Sequence, residues 1–322
     1  MSAGFMDAGV GSIVFCSAFV QGMKAAAGHH DGTEKENGTT ARRGKKGHDV
    51  YRLLALALLG LGRPIVTSMI GYQNHVGEYG VHWNFFLTLL VIRLIIIVVP
   101  KSWDSFWLGA VLLCIHQLVL SGLGINEYVN DEPHSRLGTN VISQNKEGLV
   151  SLVGYLCLHW LGEWSAKVCT RIMDDRNRRA CLIKQALFIC LLWTGHAVCS
   201  KYIETTSRRS CNAAFVLWML ANNVQAVCLN ALVLALVVEA KGNAAAGDEK
   251  EHRSKIEVKR TAIPDALTCI NRSMLGVFLV ANVLTGAVNL AVDTLAVSDT
   301  EARGILALYM AVLMTVAKLL AT

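Results

Sequence analysis

The chain has 322 residues, of which 53% are hydrophobic and only 17% are charged, and it carries a net charge of +6. Since a soluble domain contains about a quarter charged residues, this composition excludes an ordinary soluble protein. The basic residues lie in loops between apolar runs, which indicates orientation and lipid contact rather than nucleic-acid binding. The ten cysteines include no CxxC pair, so we predict neither a metal site nor a disulfide framework.

Nine apolar runs follow one another along the chain, each close to the roughly 17–25 residues that cross a bilayer. We therefore predict an all-α fold, a polytopic transmembrane bundle of about nine helices forming one integral-membrane domain over residues 1–322. The predicted segments are Gly9–Met23, Leu53–Ile70, Trp83–Val99, Trp103–Leu120, Leu149–Trp164, Ala180–Val198, Ala213–Val238, Met274–Val292 and Ile305–Leu320.

Lys and Arg residues concentrate in every second loop, chiefly within residues 24–52, 165–184 and 240–272. Because basic loops remain in the cytosol, we predict that these loops are cytosolic and that the alternate loops face the opposite side. The glycosylation sequons at Asn37 and Asn271 fall on the cytosolic side, so we expect no glycan at either.

Two of these cytosolic stretches are predicted to be flexible loops. Residues 24–50 and 240–262 are rich in Gly, Ala, Glu and Lys and lack apolar periodicity. Such sequences bury too little apolar surface to fold on their own.

Two polar motifs stand at predicted non-cytosolic ends of segments. Asp7 precedes the first segment in MDAGVGSIVF, where it is either a helix cap or a functional carboxylate. Glu78 and His82 in EYGVHWNFF are four positions apart, so they share a helix face if the helix begins early, and histidine is well suited to proton transfer near neutral pH. The alternative for this motif is an interfacial belt around Trp83.

Two further motifs on the same predicted face carry charge. Asn145, Lys146 and Glu147 precede a weakly apolar segment and are either membrane anchors or headgroup ligands. Arg208 and Arg209 in RRSCN suit phosphate, because the guanidinium fork matches its oxygens, although a plain interfacial anchor has the same composition.

Polar residues also occur inside apolar segments. Asn282, Thr285 and Asn289 lie on one helix face, where they either hold helices together or contact a substrate. Arg93 lies toward the cytosolic end of its segment, so we expect its side chain to reach toward that interface.

Together, in this order, the motifs resemble the inositol acyltransferase family of GPI-anchor biosynthesis. The matching strings are MDAGVGSIVF, YQNHVGEYGVHWNFFLTLL, QNKEGLVSLVGY, RRSCNAAFVLW and FLVANVLTGAVNL. The resemblance implies a multi-pass enzyme of the endoplasmic reticulum membrane with about thirteen helices, some of them upstream of the Asp-containing motif. It also implies transfer of an acyl chain, usually palmitoyl, from acyl-CoA to the inositol 2-hydroxyl of glucosaminyl-phosphatidylinositol, without a further cofactor.

Acyl transfer to an alcohol requires a general base and donors for the oxyanion, and the resemblance directs these roles to the motifs. We predict Asp7 and His82 as catalytic residues, with the carboxylate orienting the imidazole. Oxyanion donors would come from Asn84, Asn145 or Asn282, and phosphate ligands from Lys146, Arg208 and Arg209. The remaining predicted substrate contacts are Glu78, Glu147, Asn212 and Asn289.

Other classes of membrane protein remain open from the residues alone. A lipid or solute transporter would use intramembrane Asn and Arg as a substrate path, although the two halves share no duplicated motif. A different membrane-bound O-acyltransferase would need a polar residue deep in an apolar run, as His116 and His159 are. A fragment that only associates with other subunits is the third alternative.

Overall fold

The computed structural model describes residues 7–30, 50, 53–62, 79–100, 103–130, 140–175, 177–244, 265–292 and 296–321. The regular elements of these residues are helices, as predicted. In chain order they are α1 Ala8–His30, α2 Leu53–Gly62, α3 Phe85–Val98, α4 Ser105–Gly122, α5 Ile125–Asn130, α6 Val141–Gln144, α7 Lys146–Met173, α8 Arg178–Tyr202, α9 Ala213–Ala244, α10 Asp265–Arg272, α11 Met274–Ala291 and α12 Asp299–Ala321.

Five helices are long and apolar enough to cross a membrane, which supports a multi-pass membrane protein. The prediction of about nine membrane helices is not confirmed, although each of the nine predicted segments overlaps a helix. Four helices overlap predicted segments but are not candidate spans. Three of them are too short, because α2, α3 and the apolar part of α11 each have fewer than 18 residues. The fourth, α7, has 28 residues but too polar a composition to qualify. The five candidate spans are Ala8–Ala27, Ser105–Gly122, Arg178–Tyr202, Ala213–Val237 and Asp299–Ala321.

Helix α7 is the centre of the first part of the chain. Most of its residues are buried, and it packs chiefly against α1 and α4, with further contacts to α3 and α8. Its Trp164 ring lies 4.9 Å from Phe106 of α4 and 5.6 Å from Phe188 of α8, centroid to centroid. On the α1 side, Gly22 approaches α7 so closely that an added Cβ would lie 2.4 Å from the Glu163 carbonyl oxygen. Small residues at such contacts allow membrane helices to approach closely.

The chain divides into two compact units, Met1–Cys228 and Leu229–Thr322. In the second unit, α10, α11 and α12 pack against one another. Ser273 donates to the Leu320 carbonyl oxygen at 2.7 Å, and the Tyr309 hydroxyl donates to the Ala281 carbonyl oxygen at 3.1 Å. One integral-membrane domain over 1–322 stays a prediction.

Helices cover the first residues of both stretches that were predicted to be flexible loops. Helix α1 continues to His30, and α9 continues to Ala244. Alanine and lysine at these helix ends are good helix formers, so the helices extend into the polar stretch. The other residues of both predicted loops lie outside the described part of the chain.

Candidate functional site

The first turn of α7 is joined to the segment that precedes α3. Gly148 N donates to the Tyr79 carbonyl oxygen at 3.1 Å, and Val81 N donates to the Gln144 carbonyl oxygen at 3.0 Å. Gly80 lies between these bonds with φ +111°, a left-handed conformation that favours glycine. The motif EYGVHWNFF is therefore held against the start of α7.

Asn145 fastens this junction with its side chain. Its Oδ1 accepts from His82 N at 2.9 Å and from Trp83 N at 2.8 Å, while Nδ2 donates to the Val141 carbonyl oxygen at 2.8 Å. The side chain is buried. Its amide therefore satisfies two backbone donors that would otherwise be left without partners at a cost of about 1–3 kcal/mol each.

An ion pair joins the start of α1 to the turn before α9. Arg208 Nε lies 3.0 Å from Asp7 Oδ1, with the arginine side chain 14% exposed and the aspartate 30% exposed. The same guanidinium lies 5.6 Å from the centroid of the Tyr79 ring, within cation–π range. The pair thus connects three motifs that are far apart in the chain.

The turn that carries Arg208 is tightly held. Asn212 Oδ1 accepts from Ser207 N at 3.2 Å and from Phe215 N at 3.0 Å, and its Nδ2 donates to the Thr205 carbonyl oxygen at 2.8 Å. Cys211 has φ +46°, a strained conformation for a residue with a Cβ.

Helix α4 holds the same turn from another side. The His116 Nε2 lies 3.1 Å from the Ser210 carbonyl oxygen. Gln117 Oε1 accepts from Ala213 N at 2.8 Å, and its Nε2 donates to Glu204 at 3.0 Å. His116, which the sequence left without a partner, is therefore a support for the Arg208 turn.

Two charged residues are buried in the first turn of α7. The Lys146 Nζ donates to the Tyr128 carbonyl oxygen and lies 4.4 Å from the centroid of the Tyr128 ring. Glu147 is completely buried. Burying a charged side chain is expensive, so the burial of both residues favours a functional site over a solvent-exposed anchor.

Most of the predicted site residues meet at this end of the first unit, which we call the α7 N-terminal site. It is defined by Asp7, Tyr79, Asn145, Lys146, Glu147, Arg208, Arg209 and Asn212.

The structure does not pair Asp7 with His82 as the sequence suggested. The ion partner of Asp7 is Arg208, whereas His82 has an exposed side chain and joins the site through its backbone N–H. Both remain predicted catalytic residues.

Other predicted site residues have different surroundings. Asn84 caps α3 by accepting from Leu87 N at 3.1 Å and donates to the Gly60 carbonyl oxygen at 2.6 Å, so its amide has structural partners. Asn282 and Asn289 lie on α11 in the second unit, where Asn282 donates to the Phe278 carbonyl oxygen of its own helix. Glu78 lies outside the described residues.

The site also contains residues that were not singled out. Tyr79, Tyr128 and Gln117 contact the charged groups or the turn that carries them. The sequence could have identified two of them. Tyr79 precedes a glycine in the motif EYGVHWNFF, and Gln117 is a polar residue inside an apolar run. Tyr128 could not be identified in this way, since its contact with Lys146 depends on how the chain folds back.

The chain is similar to known proteins along most of its length. A family model described as GWT1 matches residues 2–320. The "Phosphatidylinositol-glycan biosynthesis class W protein" of Dictyostelium discoideum is 33% identical over 77% of this chain and 46% of its own length. The "Glucosaminyl-phosphatidylinositol-acyltransferase PIGW" of Homo sapiens is 33% identical over 95% of this chain and 64% of its own length. The "GPI-anchored wall transfer protein 1" of Emericella nidulans is 32% identical, over 97% of this chain and 63% of its own length. The chain thus spans between about half and two thirds of the length of these relatives.

Proposed function

Because the chain belongs to the GWT1 family, we propose that it transfers a fatty acyl chain to the inositol ring of glucosaminyl-phosphatidylinositol. Family membership confirms the resemblance drawn from the motifs. The acceptor lipid is suggested by the human relative, which is named for acyl transfer involving glucosaminyl-phosphatidylinositol. We further propose acyl-CoA as the donor, palmitoyl as the usual chain, the inositol 2-hydroxyl as the acceptor, and the endoplasmic reticulum membrane as the location.

The observation that carries the proposal is the Asp7–Arg208 pair beside the buried Lys146 and Glu147. A carboxylate next to a guanidinium suits an acceptor that has both a hydroxyl to deprotonate and a phosphate to bind. The guanidinium fork matches phosphate oxygens. Half-exposure of Asp7 leaves its carboxylate accessible from the end of the bundle.

The chemistry is acyl transfer from a thioester to an alcohol. The inositol hydroxyl oxygen forms a bond to the thioester carbonyl carbon while its proton passes to a general base. The tetrahedral oxyanion then collapses, the carbon–sulfur bond breaks, and CoA leaves as a thiolate that takes up a proton. Asp7 is our first candidate for the base and His82 the second. Asn145 is a candidate oxyanion donor, and Lys146 is a candidate ligand of the inositol phosphate.

The test uses membranes from cells that lack this acyltransferase and express the chain. Glucosaminyl-phosphatidylinositol and labelled palmitoyl-CoA are added, and the products are treated with phosphatidylinositol-specific phospholipase C. This lipase needs a free 2-hydroxyl to form a cyclic phosphate, so a labelled lipid that resists cleavage reports acylation at that position. Resistant product supports the proposal.

The matched control for Asp7→Asn is Asp175→Asn, which alters another partly exposed, ion-paired carboxylate, the partner of Lys184 between α7 and α8. Only the first should reduce resistant product. A chain that reaches the membrane, folds and yields labelled lipid that stays sensitive to the lipase would contradict acylation at the 2-hydroxyl.

A further inference from the structure

A short helix contacts a charged group of the α7 N-terminal site. Helix α5, Ile125–Asn130, follows α4 and packs against both α4 and α7. The Lys146 Nζ donates to the backbone carbonyl oxygen of Tyr128 on this helix and lies 4.4 Å from the centroid of the Tyr128 ring. Lys146 is only 5% exposed. The ammonium group that is a candidate ligand of the inositol phosphate is therefore shielded from solvent and engaged by α5.

Two further hydrogen bonds connect α5 to different parts of the site. The Tyr128 hydroxyl donates to Ser143 Oγ at 3.0 Å, in α6 just before α7. The Ser207 Oγ donates to Asn130 Oδ1 at 3.2 Å, and Ser207 belongs to the turn that carries Arg208. Helix α5 therefore bridges the start of α7 and the Arg208 turn.

Little apolar packing holds α5 in this position. All six of its residues are described, and Val129 is the only one of them that is buried, whereas Tyr128 is 50% exposed. Segments with few buried apolar side chains open more readily than core helices do. The polar contacts with Lys146, Ser143 and Ser207 are consequently a large part of what keeps α5 in place.

Gly124 provides a hinge at the start of α5. Its φ is +66°, in the left-handed region that favours glycine, and a Cβ there would meet no atom within 4 Å apart from its chain neighbours. Hinge residues are loop or element-terminal positions that absorb a backbone rotation. Rotation at Gly124 would move α5 while α4, which ends at Gly122, keeps its own packing.

A phosphate that binds Lys146 competes with Tyr128. Because Lys146 is almost completely buried, an anion reaches its ammonium group only if a covering residue moves away. The carbonyl oxygen and the aromatic face of Tyr128 carry partial negative charge, whereas a phosphate carries a full charge and accepts stronger hydrogen bonds. Binding of the phosphate therefore favours the state in which Tyr128 has left Lys146.

We propose that α5 is a lid on the α7 N-terminal site, and that the phosphate of the acceptor glycolipid opens it by displacing Tyr128 from Lys146. The identity of the acceptor rests on the proposed acyltransferase function. Tyr128 is then a positioning residue, because it acts on the reaction through Lys146. The apparent affinity for the acceptor is the intrinsic affinity multiplied by the fraction of chains in which the lid is open.

Amide hydrogen exchange tests whether the glycolipid opens the lid, and it requires no acyl transfer. The purified chain is placed in phosphatidylcholine discs, alone, with glucosaminyl-phosphatidylinositol, with an equal fraction of phosphatidylserine, or with inorganic phosphate. The Tyr128 amide, which donates to the Gly124 carbonyl oxygen at 3.1 Å, is the reporter, and the amide of the buried Leu158 in α7 is the reference.

We expect the glycolipid to raise the exchange rate at Tyr128 several-fold and to leave the rate at Leu158 unchanged. An unchanged or slower rate at Tyr128 would overturn the lid. An equal rise with phosphatidylserine or inorganic phosphate would overturn the glycolipid as the ligand that opens it, because both share its phosphate chemistry and lack its inositol.

A reversible cross-link tests whether opening is needed for the reaction. The side chains of Asn130 and Ser207 are in contact, so the double variant Asn130→Cys with Ser207→Cys can be joined by a short methanethiosulfonate reagent that a reductant removes. We expect the cross-linked chain to lose most of its acylation activity and to recover it on reduction. Each single variant should respond equally little to the reagent, which controls for the native cysteines. Full activity in the cross-linked chain would contradict the lid.

The substitution Tyr128→Ala separates a lid from a merely structural contact. Loss of the ring weakens the closed state, so we expect the KM for the glycolipid to fall about two- to fivefold, the factor for one exposed cation–π contact. The KM for acyl-CoA should stay the same, and Tyr128→Phe, which keeps the ring, should change the glycolipid KM less. A structural role predicts the opposite sign, so a higher glycolipid KM in Tyr128→Ala would overturn the proposal.

Failure of the lid can be told from failure of the proposed function. If acylation proceeds equally in the cross-linked and reduced chains, the lid is wrong while the function stands. If the glycolipid opens α5 and the cross-link prevents this, but the reduced chain forms no acylated product, the lid stands and the acyltransferase function is wrong.

Discussion

The Asp7–Arg208 ion pair is partly exposed, and this exposure determines how much stability its loss should cost. Partly exposed pairs contribute about 0–1 kcal/mol to stability, because water screens the charges and ordering two side chains costs entropy. Replacing Asp7, the more exposed partner, with the isosteric asparagine should therefore leave the fold intact, whereas loss of the largely buried Arg208 costs more and its variants need a stability control. A loss of activity in such variants reports the chemistry of the pair rather than unfolding.

At Asp7 we predict that the Asp7→Asn variant lowers turnover by about 10²–10⁴-fold, the range for loss of a general base. Arg208→Gln should instead raise the KM for the glycolipid, with Arg208→Lys recovering part of it, because lysine keeps the charge but not the fork. Steady-state kinetics with labelled acyl-CoA measure both. Near-normal turnover in Asp7→Asn would contradict Asp7 as the general base. His82 would then be the candidate, and His82→Gln should show the large loss of turnover.

A second prediction concerns Asn145, whose Oδ1 accepts two backbone N–H groups. Asn145→Ala should destabilise the chain by about 1–3 kcal/mol for each donor it leaves unpaired. Asn145→Asp keeps the acceptor and should lose less. Thermal unfolding in detergent gives the comparison, with Asn222→Ala as control because Asn222 bonds only within its own helix at 2.9 Å. Equal stability of all three variants would contradict the role of this side chain.

At the scale of elements, the turn before α9 is placed by the helices around it. Helix α4 reaches it through His116 and Gln117, and α7 approaches it at Gly154. A Cβ at Gly154 would lie 2.0 Å from the Cys211 carbonyl oxygen, a backbone atom that cannot rotate away. The position of Arg208 therefore depends on the absence of a side chain on a neighbouring helix.

The substitution Gly154→Ala should consequently displace the turn. We expect a stability loss of about 1–3 kcal/mol, typical of overpacking, and a higher KM for the glycolipid as Arg208 moves. Gly195→Ala is the matched control, since its nearest neighbour, Leu217, would lie 3.6 Å from the new Cβ, an ordinary contact. Unchanged kinetics in Gly154→Ala would show that the turn tolerates movement without consequence.

Across the whole molecule, the orientation follows from the distribution of lysine and arginine and remains a prediction. It places the α7 N-terminal site on the non-cytosolic side.

Glycan mapping tests the orientation. The sequons at Asn37 and Asn271 should stay unmodified, whereas Glu132→Thr, which completes an acceptor sequence at Asn130, should gain a glycan removable by a peptide N-glycosidase. The measured quantity is the shift in electrophoretic mobility. Glycan at Asn37 or Asn271 would reverse the orientation.

Much of this arrangement was predictable, and the exceptions have physical causes. Long apolar runs predict helices because such segments avoid water, and a helix satisfies the backbone hydrogen bonds of a segment that lies in lipid. All nine predicted segments accordingly overlap helices. The choice of Arg208 rather than His82 as the partner of Asp7 depends on packing between residues 201 positions apart, which no local pattern encodes. Asn84 is a predicted oxyanion donor and also caps a helix, and the sequence does not separate these roles because an amide before an apolar run serves either purpose.

Helix α7 has a consequence for how the chain is made. It is too polar to be one of the five candidate spans, yet it is the helix around which the first unit packs. A nascent segment carrying Glu147, His159, Glu163 and Lys167 partitions poorly into lipid by itself. We therefore expect entry of α7 into the membrane to depend on α1 and α4, the helices against which it packs.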